Sequence, residues 1–286
     1  MVAPCILTVG KFEGIHRGHR VLLCQVEHRA KSAGITPVVV TFEPHPFKFL
    51  HDPDYKPIFT KPERESLIRI LGINEIVTFD FDATFAAMSA EDFCREIFQK
   101  FNPREIIVGE NYRFGHNREG TIETLRKAGA TVCVVRTLSE GTTICTSRIR
   151  DFLSQNKFHE AEALLGFPFF VAGEVTQGRQ LGRLLGFPTM NLYPPEEKFL
   201  PQNGVYETRT RINGIHMTGL TNIGVRPTVS KDAVISVETH IPTLDAKEMY
   251  GKQIKVEFKR FLRPERHFES AEELTAQIRK DMEALK

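Results

Sequence analysis

The sequence predicts two domains of different fold class, an α/β domain built on a parallel sheet and a small antiparallel β-barrel domain that follows it. Strand-like and helix-like segments alternate through the first half of the 286 residues, whereas short strand-like segments follow one another in the second half. The change comes near Gly166, so we divide the chain into residues 1–165 and 166–286. A chain of this length is sufficient for two hydrophobic cores.

In the first half, apolar runs of strand length alternate with amphipathic runs of helix length. The predicted strands span residues 5–9, 37–42, 75–78, 105–108 and 131–135, and the predicted helices lie at 18–33, 60–72, 89–100 and 119–128. Thr60 with Glu63 is a capping-box pair, and Ser89 with Asp92 opens the next helix. Gly34 is placed to end the first helix. This alternation predicts a sheet whose ligands bind at the carboxyl ends of its strands.

In the second half, the predicted strands span residues 171–176, 204–212, 215–223, 234–241 and 253–261. Asn213-Gly214 between two of them indicates a type I′ hairpin turn. Antiparallel strands joined by turn residues favour a small barrel or a sandwich, and we predict the barrel. Ser270 with Glu273 predicts a capping box at the start of a C-terminal helix, and residues 151–165 predict a helix that joins the two halves.

Composition excludes several classes of function. The net charge is +2, so no strong field calls for a nucleic acid or an anionic membrane. No apolar run approaches the ~20 residues that span a bilayer, and no signal peptide is recognised. The five cysteines are widely spaced without a Cys-x-x-Cys pair. We therefore expect a cytoplasmic protein that acts on small molecules, with self-association left open.

Residues 10–19 join the first strand to the first helix and carry the most chemical information. His16 and His19 lie three apart around Gly18, and Gly10 lets the backbone approach a ligand closely. A helix N-terminus in this place binds anions, and imidazoles can donate hydrogen bonds to phosphate oxygens. The alternatives are a turn histidine beside a cap histidine, or a metal bound by both histidines with Glu13.

Two further segments of the first half carry candidate ligands. Within 108–115, Phe114 can stack on a flat ring and Arg113 can meet a phosphate; a core aromatic and a solvated arginine explain them equally well. Ser147 and Arg148 lie at a predicted helix start and suit a phosphate, although the arginine can also be a surface charge. The segment 41–46 is a proline-rich strand exit, usually a structural feature.

The motifs His16-Arg17-Gly18-His19 and Cys145-Thr146-Ser147-Arg148-Ile149-Arg150 resemble those of nucleotidyltransferases. Together with residues 109–115, they are most similar to the adenylyltransferase module of bacterial bifunctional riboflavin kinase/FAD synthetase. The resemblance implies a Rossmann-like fold and transfer of AMP from ATP to FMN, with release of pyrophosphate. It implies catalytic roles for His16 and His19, ATP binding at Gly10, Phe12, Glu13, Gly18, Ser147 and Arg148, and flavin binding at Asn111, Arg113 and Phe114.

This half departs from the family pattern at Glu13, where an Asp is usual, and at Cys145 and Thr146, which replace two serines. The extra methylene of Glu13 displaces its carboxylate by about 1.5 Å. Replacing Glu13 by Asp should therefore leave FAD synthesis unchanged or faster, unless the glutamate is fitted to its site. The acceptor is an ionised phosphate, so the reaction needs no general base.

In the second half, residues 178–191 carry Gly178, Gly182 and Gly186 at a spacing of four. Their amides can face phosphates, and Thr189 and Asn191 offer the hard oxygen ligands that Mg²⁺ prefers. A glycine-rich hairpin between strands is the structural alternative.

This run resembles the riboflavin kinase signature Gly-Phe-Pro-Thr-Ala-Asn, with Met190 in place of Ala. The resemblance continues through residues 204–206, 222–228, 237–241 and 261–263, and implies phosphorylation of riboflavin to FMN. It implies Glu238 as the base for the ribityl hydroxyl, Thr189 and Asn191 as holders of Mg²⁺-ATP, and flavin or phosphate contacts at Arg226 or Arg263. The rival interpretations are a chain with one live site, an adenylyltransferase for another acceptor, and a regulatory protein that binds flavin without ATP turnover.

Overall fold

The computed structural model describes residues 2–136, 144–178, 181–226 and 234–285. It divides the chain into two compact units, Met1–Thr146 and Ser147–Lys286. Within the described residues, no helix is both long and apolar enough to cross a membrane.

The first unit is a five-stranded parallel sheet with the strand order β3-β2-β1-β4-β5. The strands are β1 (Cys5–Val9), β2 (Thr36–Glu43), β3 (Glu75–Asp80), β4 (Pro103–Gly109) and β5 (Val132–Val135). All five predicted strands are confirmed. Because the chain places β2 on one side of β1 and β4 on the other, the order reverses at β1, and its carboxyl end is the crevice where such sheets bind ligands.

Helices cover the sheet of the first unit. They are α1 (Arg17–Ala33), α2 (Pro46–Leu50), α3 (Lys61–Ile70), α4 (Ala83–Ala86), α5 (Ala90–Phe101) and α6 (Ile122–Lys127), with a 3₁₀ turn at His116–Arg118. The predicted caps are confirmed: Gly34 ends α1 with φ 66°, Thr60 and Glu63 form a capping box, and Ser89 accepts from the Asp92 N–H. The helix predicted over 119–128 is shorter, because Thr121 is its N-cap.

The second unit is a six-stranded antiparallel sheet with the order β6-β11-β8-β9-β10-β7. Its strands are β6 (Phe170–Glu174), β7 (Met190–Leu192), β8 (Gly204–Ile212), β9 (Ile215–Arg226), β10 (Val234–His240) and β11 (Gln253–Arg263). A bridge between Thr176 and Asn191 brings the two edges together, so the sheet is a nearly closed barrel, as predicted. Asn213 and Gly214 have φ of 50° and 84°, which confirms the hairpin turn.

The helices of the second unit are α7 (Thr146–Ser154), α8 (Phe158–Leu165), α9 (Leu181–Leu184) and α10 (Ala271–Glu283), with a 3₁₀ turn at Ala246–Met249. The single helix predicted over 151–165 is wrong: α7 and α8 are separated by a turn in which Asn156 has φ 57°. The box at Ser270 forms only in part, because the Glu273 carboxylate accepts from the Glu269 N–H instead.

Helix α8 packs on the barrel. The ring of Phe158 is buried and lies 5.8 Å from the rings of both Tyr206 and Phe258. The compact units therefore part near residue 146, whereas the sequence placed the domain boundary at 165/166. The boundary at 165/166 stays a prediction.

Candidate functional sites

The histidine turn lies at the carboxyl end of β1. The Gly10 N–H donates to the Val40 carbonyl at 3.0 Å, which fixes the start of the turn on β2. Phe12 and Ile15 have φ of 45° and 44°, a left-handed backbone that is unfavourable for residues other than glycine. His16 is the N-cap of α1, and its Nδ1 accepts from the His19 N–H at 3.3 Å. The backbone of this turn thus places both imidazoles at one helix N-terminus.

The two imidazole rings stack face to face, with centroids 3.7 Å apart and planes 14° apart. Burial lowers the pKa of His16 to about 4. Burial lowers the pKa of His19 well below its ordinary range, and the charges of His16 and Lys11 lower it further. Both rings are therefore neutral at neutral pH. Because His16 Nδ1 accepts a hydrogen bond, its proton is on Nε2, which leaves a neutral N–H donor for a ligand.

Packing around Gly10 and Gly18, two of the three glycines of the turn, is tight. A Cβ on Gly10 would lie 3.0 Å from the Phe12 ring, and one on Gly18 would lie 3.3 Å from the His16 ring. The Phe12 ring packs edge-on against His19, with centroids 5.4 Å apart. Gly10, Phe12 and Gly18, predicted to bind ATP, therefore build the shape of the turn that presents the histidines.

Glu13 contacts the segment that follows β2. Its buried carboxylate accepts from the Tyr55 hydroxyl and the Ile58 N–H, and it lies 3.3 Å from His45 Nε2. Among the described residues, no group of three or more His, Cys, Asp or Glu is placed to hold a metal, so the alternative of a metal held by the two histidines with Glu13 finds no cluster.

The segment after β4 divides between core and surface. Phe114 is buried, its ring lies 5.0 Å from Phe93, and a Cβ on Gly120 would lie 2.8 Å from it. This burial agrees with the core-aromatic alternative, and flavin binding by Phe114 stays a prediction. Asn111 and Arg113 are exposed, and the Arg113 guanidinium donates to the Tyr112 carbonyl. Since β4 is the neighbour of β1 in a parallel sheet, both residues lie at the same sheet edge as the histidine turn.

Ser147 and Arg148 lie in the first turn of α7, as predicted for a helix start. The Arg148 guanidinium lies 5.5 Å from the Phe152 ring. Both residues belong to the second compact unit, so the structure of the first unit alone does not relate them to the histidine turn.

In the barrel, strand register aligns three polar residues. Asn191 of β7 is the partner of Glu238 on β10, and Glu238 is the partner of Asn222 on β9. Directly opposed residues of antiparallel strands point to the same face of a sheet. Glu238 is half-buried and accepts from the Ser236 hydroxyl at 3.2 Å. A carboxylate and two amides therefore meet on one face, beside the glycine-rich segment.

Thr189 and Asn191 are in contact. The Asn191 amide donates to the Thr189 carbonyl at 3.2 Å and to its hydroxyl at 3.4 Å. A Cβ on Gly178 would lie 2.7 Å from the Asn191 amide, so glycine leaves the room that this side chain uses. Two adjacent hard oxygens beside such a cradle fit Mg²⁺, provided that phosphates and water complete its ligands.

The segment 178–191 holds elements that the sequence did not predict, the short helix α9 and the strand β7. A Cβ on Gly182 would collide with the Phe187 carbonyl oxygen. The glycine therefore allows these two parts of the loop to approach each other closely. The Pro188 carbonyl lies 2.8 Å from Nδ1 of His240, which ties the loop to β10. Burial lowers the pKa of His240, so the ring is neutral at neutral pH and donates from Nδ1.

A pocket in the barrel unit joins this loop to the segment around the 3₁₀ turn Ala246–Met249. Its lining combines predicted residues with polar residues that sequence reasoning missed, namely Gly178, Thr189 and Asn191 with Arg183, Asp245, Lys247 and Tyr250. Arg183 belongs to the glycine-rich loop itself. The other three, Asp245, Lys247 and Tyr250, carry no motif, and the fold brings them back to the loop from more than 50 positions further along the chain.

The two flavin candidates of the barrel differ. The guanidinium of Arg263 is engaged by the buried carboxylate of Asp281 on α10 at 2.7 and 2.9 Å. Arg226 ends β9, and its side chain lies outside what the structure describes.

A turn of glycines and histidines at the switch point of a parallel sheet places a helix N-terminus against an anionic ligand, the arrangement of a nucleotide-dependent transferase. Sequence comparison agrees in both halves. The family model described as FAD synthetase matches residues 2–149, and that described as riboflavin kinase matches residues 165–286.

Relatives match over nearly the whole chain. The bifunctional riboflavin kinase/FMN adenylyltransferase of Escherichia coli K12 is 36% identical over 97% of this chain and 90% of its own length. That of Bacillus subtilis is 32% identical over 98% of this chain and 90% of its own. The chain belongs to the bifunctional riboflavin kinase/FMN adenylyltransferase family.

A solved structure is also similar throughout. A Streptococcus pneumoniae chain described as a macrolide-efflux protein superposes with a TM-score of 0.83 at 28% identity, covering 99% of this chain and 94% of that one. The two units described above thus recur in one solved chain.

Proposed function

We propose that this chain makes FAD from riboflavin in two ATP-dependent steps. The barrel transfers the γ-phosphoryl group of ATP to riboflavin and gives FMN. The α/β domain then transfers AMP from ATP to FMN, with release of pyrophosphate. The observation that carries the proposal is the presence of two separate sites in one chain, each in the half that the corresponding family model matches.

In the kinase step, the acceptor is a hydroxyl group, so a base assists the attack. Glu238 has the position for this role, because strand register sets it beside Asn191 and Asn222. Thr189 and Asn191 would hold Mg²⁺, which neutralises phosphate charge when bound. Lys247 and Arg183 line the same pocket and add positive charge for the phosphates.

In the adenylyl-transfer step, the FMN phosphate is already ionised, and the site has to align two anions. His16 and His19 act as neutral N–H donors at a helix N-terminus. Lys11 of the same turn supplies a cation that the neutral imidazoles do not. Ser147 and Arg148, which the FAD synthetase match includes, complete the ATP phosphate contacts.

We assign FMN to the carboxyl-end side of the parallel sheet, beside Asn111 and Arg113. We assign riboflavin to the barrel face near Arg226. Arg263 can reach a flavin only if Asp281 releases it, so we rank it second. Self-association and a cytoplasmic location stay predictions from the sequence, as does the absence of nucleic-acid and membrane partners.

The test is a time course with the purified chain, riboflavin, ATP and Mg²⁺, in which the flavins are separated by chromatography. We expect FMN to accumulate before FAD. A parallel reaction that starts from FMN isolates the second step. FMN without FAD would leave one live site, and flavin binding without any product would favour a regulatory protein.

A further inference from the structure

The buried carboxylate of Glu13 is in contact with three residues of the segment between β2 and α3. The Tyr55 hydroxyl lies 2.9 Å from its Oε1 and 2.8 Å from its Oε2, and the Ile58 N–H donates to Oε1 at 3.2 Å. His45 Nε2 lies 3.3 Å from Oε2. We call Glu13, His45, Tyr55 and Ile58 the Glu13 cluster. Three of its members come from one segment, the loop between β2 and α3.

One hydrogen bond of His45 fixes which of its two ring nitrogens carries the proton. His45 is the N-cap of α2, and its Nδ1 accepts from the Phe47 N–H at 3.2 Å. Its proton is therefore on Nε2, the atom that faces the carboxylate. The rings of His45 and Tyr55 lie 5.2 Å apart with planes 24° apart, so the two donors are held side by side.

Glu13 sits between the two left-handed residues of the histidine turn, Phe12 and Ile15. Such a backbone persists only where the surrounding structure holds it. Phe12 also packs against His19, so any shift of this backbone shifts an imidazole. The Glu13 cluster is therefore placed to determine where the two histidines stand.

Direct contact between Glu13 and the nucleotide is the competing interpretation. Glu13 is only 4% exposed, and its two oxygens already accept hydrogen bonds from the Tyr55 hydroxyl and the Ile58 N–H, with His45 Nε2 3.3 Å away. A carboxylate aimed at a phosphate would repel it, whereas this one points into the loop after β2. The cluster's geometry favours an indirect role.

We propose that Glu13 is a positioning residue for adenylyl transfer, and that the Tyr55 hydroxyl is the partner fitted to its length. The inference rests on the proposed function of the first domain. It reverses the expectation from the family pattern, because aspartate at position 13 is one methylene too short to keep the hydrogen bonds from both the Tyr55 hydroxyl and the Ile58 N–H. Glu13→Asp should slow FAD formation rather than spare it.

The test uses Tyr55→Phe, which removes one oxygen and keeps the ring packing, together with Glu13→Asp. Both reactions are measured on each purified variant, FAD from FMN and FMN from riboflavin. We expect kcat for FAD formation to fall roughly 10- to 100-fold, since a displacement of about 1 Å costs that much in an aligned site. KM for ATP in FAD formation should stay within about twofold, which reports a folded first unit. Riboflavin phosphorylation should be unchanged, which reports a folded barrel.

Glu105→Gln is the matched control. Glu105 is paired with Arg29 at 2.9 Å at the surface of the same unit, and its loss should change neither reaction. A double variant with Glu13→Asp and Tyr55→Phe should lose less than the product of the two single losses, because both act on one contact.

Three results would overturn the proposal. They are an unchanged kcat for FAD formation in both single variants, a raised KM for ATP or FMN at constant kcat, or a loss of kcat in the double variant that equals the product of the two single losses. The wild-type chain separates this failure from that of the proposed function. If it makes FAD, only the role of Glu13 is in question.

Discussion

At the residue scale, the chemistry of the first unit depends on two buried histidines that stay neutral. Their stacking at 3.7 Å would place two like charges together if both took up protons. A neutral pair donates hydrogen bonds to phosphates without that repulsion. The sequence marks both residues, but only their burial determines their charge.

The buried His16 makes stability depend on pH. Its pKa is about 4 in the folded chain and about 6.5 in the unfolded chain, so between these values the unfolded chain binds the extra proton. The contribution of His16 to stability is complete above pH 6.5 and falls as the pH drops towards 4. We expect the midpoint of thermal unfolding of the first unit to fall over this range.

The matched variant is His16→Asn, which keeps a capping acceptor and cannot titrate. Its unfolding midpoint should depend less steeply on pH between 4 and 6.5. Equal slopes in both proteins would contradict the assigned pKa.

At the element scale, the glycines of segment 178–191 determine the shape of the loop that carries the candidate Mg²⁺ ligands. The glycines predict close approach of the backbone to phosphate. In the structure, Gly182 makes room for the Phe187 carbonyl and Gly178 makes room for Asn191. These glycines shape the loop that carries Thr189, and the neutral His240 anchors it at Pro188.

Gly182→Ala therefore should damage the kinase site selectively. The added Cβ forces the backbone at Gly182 and Phe187 apart and thereby displaces Thr189. We therefore expect riboflavin phosphorylation to fall about 10- to 100-fold. FAD formation from FMN should be unchanged. The control is Gly173→Ala in β6, where the nearest atom to the new Cβ is 3.7 Å away on Leu192. Equal activity of the two variants would show that the loop does not need this closure.

At the scale of the whole molecule, two compact units divide the chemistry. The parallel sheet offers one crevice at its switch point, and the barrel offers one polar face beside its loop. FMN is the product of one proposed site and the substrate of the other. Because the two sites use residues of different compact units, a substitution can inactivate one site and leave the other active.

Mixing two silenced chains tests this division. Glu238→Gln should abolish FMN formation from riboflavin but keep FAD formation from FMN. His19→Ala should keep FMN formation but abolish FAD formation. Removal of one fixed donor costs about 100-fold or more in such sites. Together, the two variants should convert riboflavin to FAD, because FMN diffuses from one chain to the other. Failure of the mixture, with each chain active in its own step, would mean that the two sites have to act within one chain.

The amino-acid sequence by itself determined the alternation of strands and helices in the first half, most helix caps, the Asn213-Gly214 hairpin and the two motif sets. These features depend on residues close together in the chain, where periodicity, capping and turn chemistry act directly. It also placed Glu238 and Asn191 in separate motifs without relating them. The break at Asn156 and the strand β7 escaped prediction, because tertiary packing decided them.

Only the tertiary structure decided which partners meet. Glu13 accepts a hydrogen bond from Tyr55, which is 42 positions away in the chain. Strand register places Glu238 opposite Asn191, and Arg263 forms an ion pair with Asp281. It also decided that Phe114 belongs to the core and that both turn histidines are neutral. Burial and long-range contact set charge, exposure and partner choice, and these quantities exist only once the chain has folded.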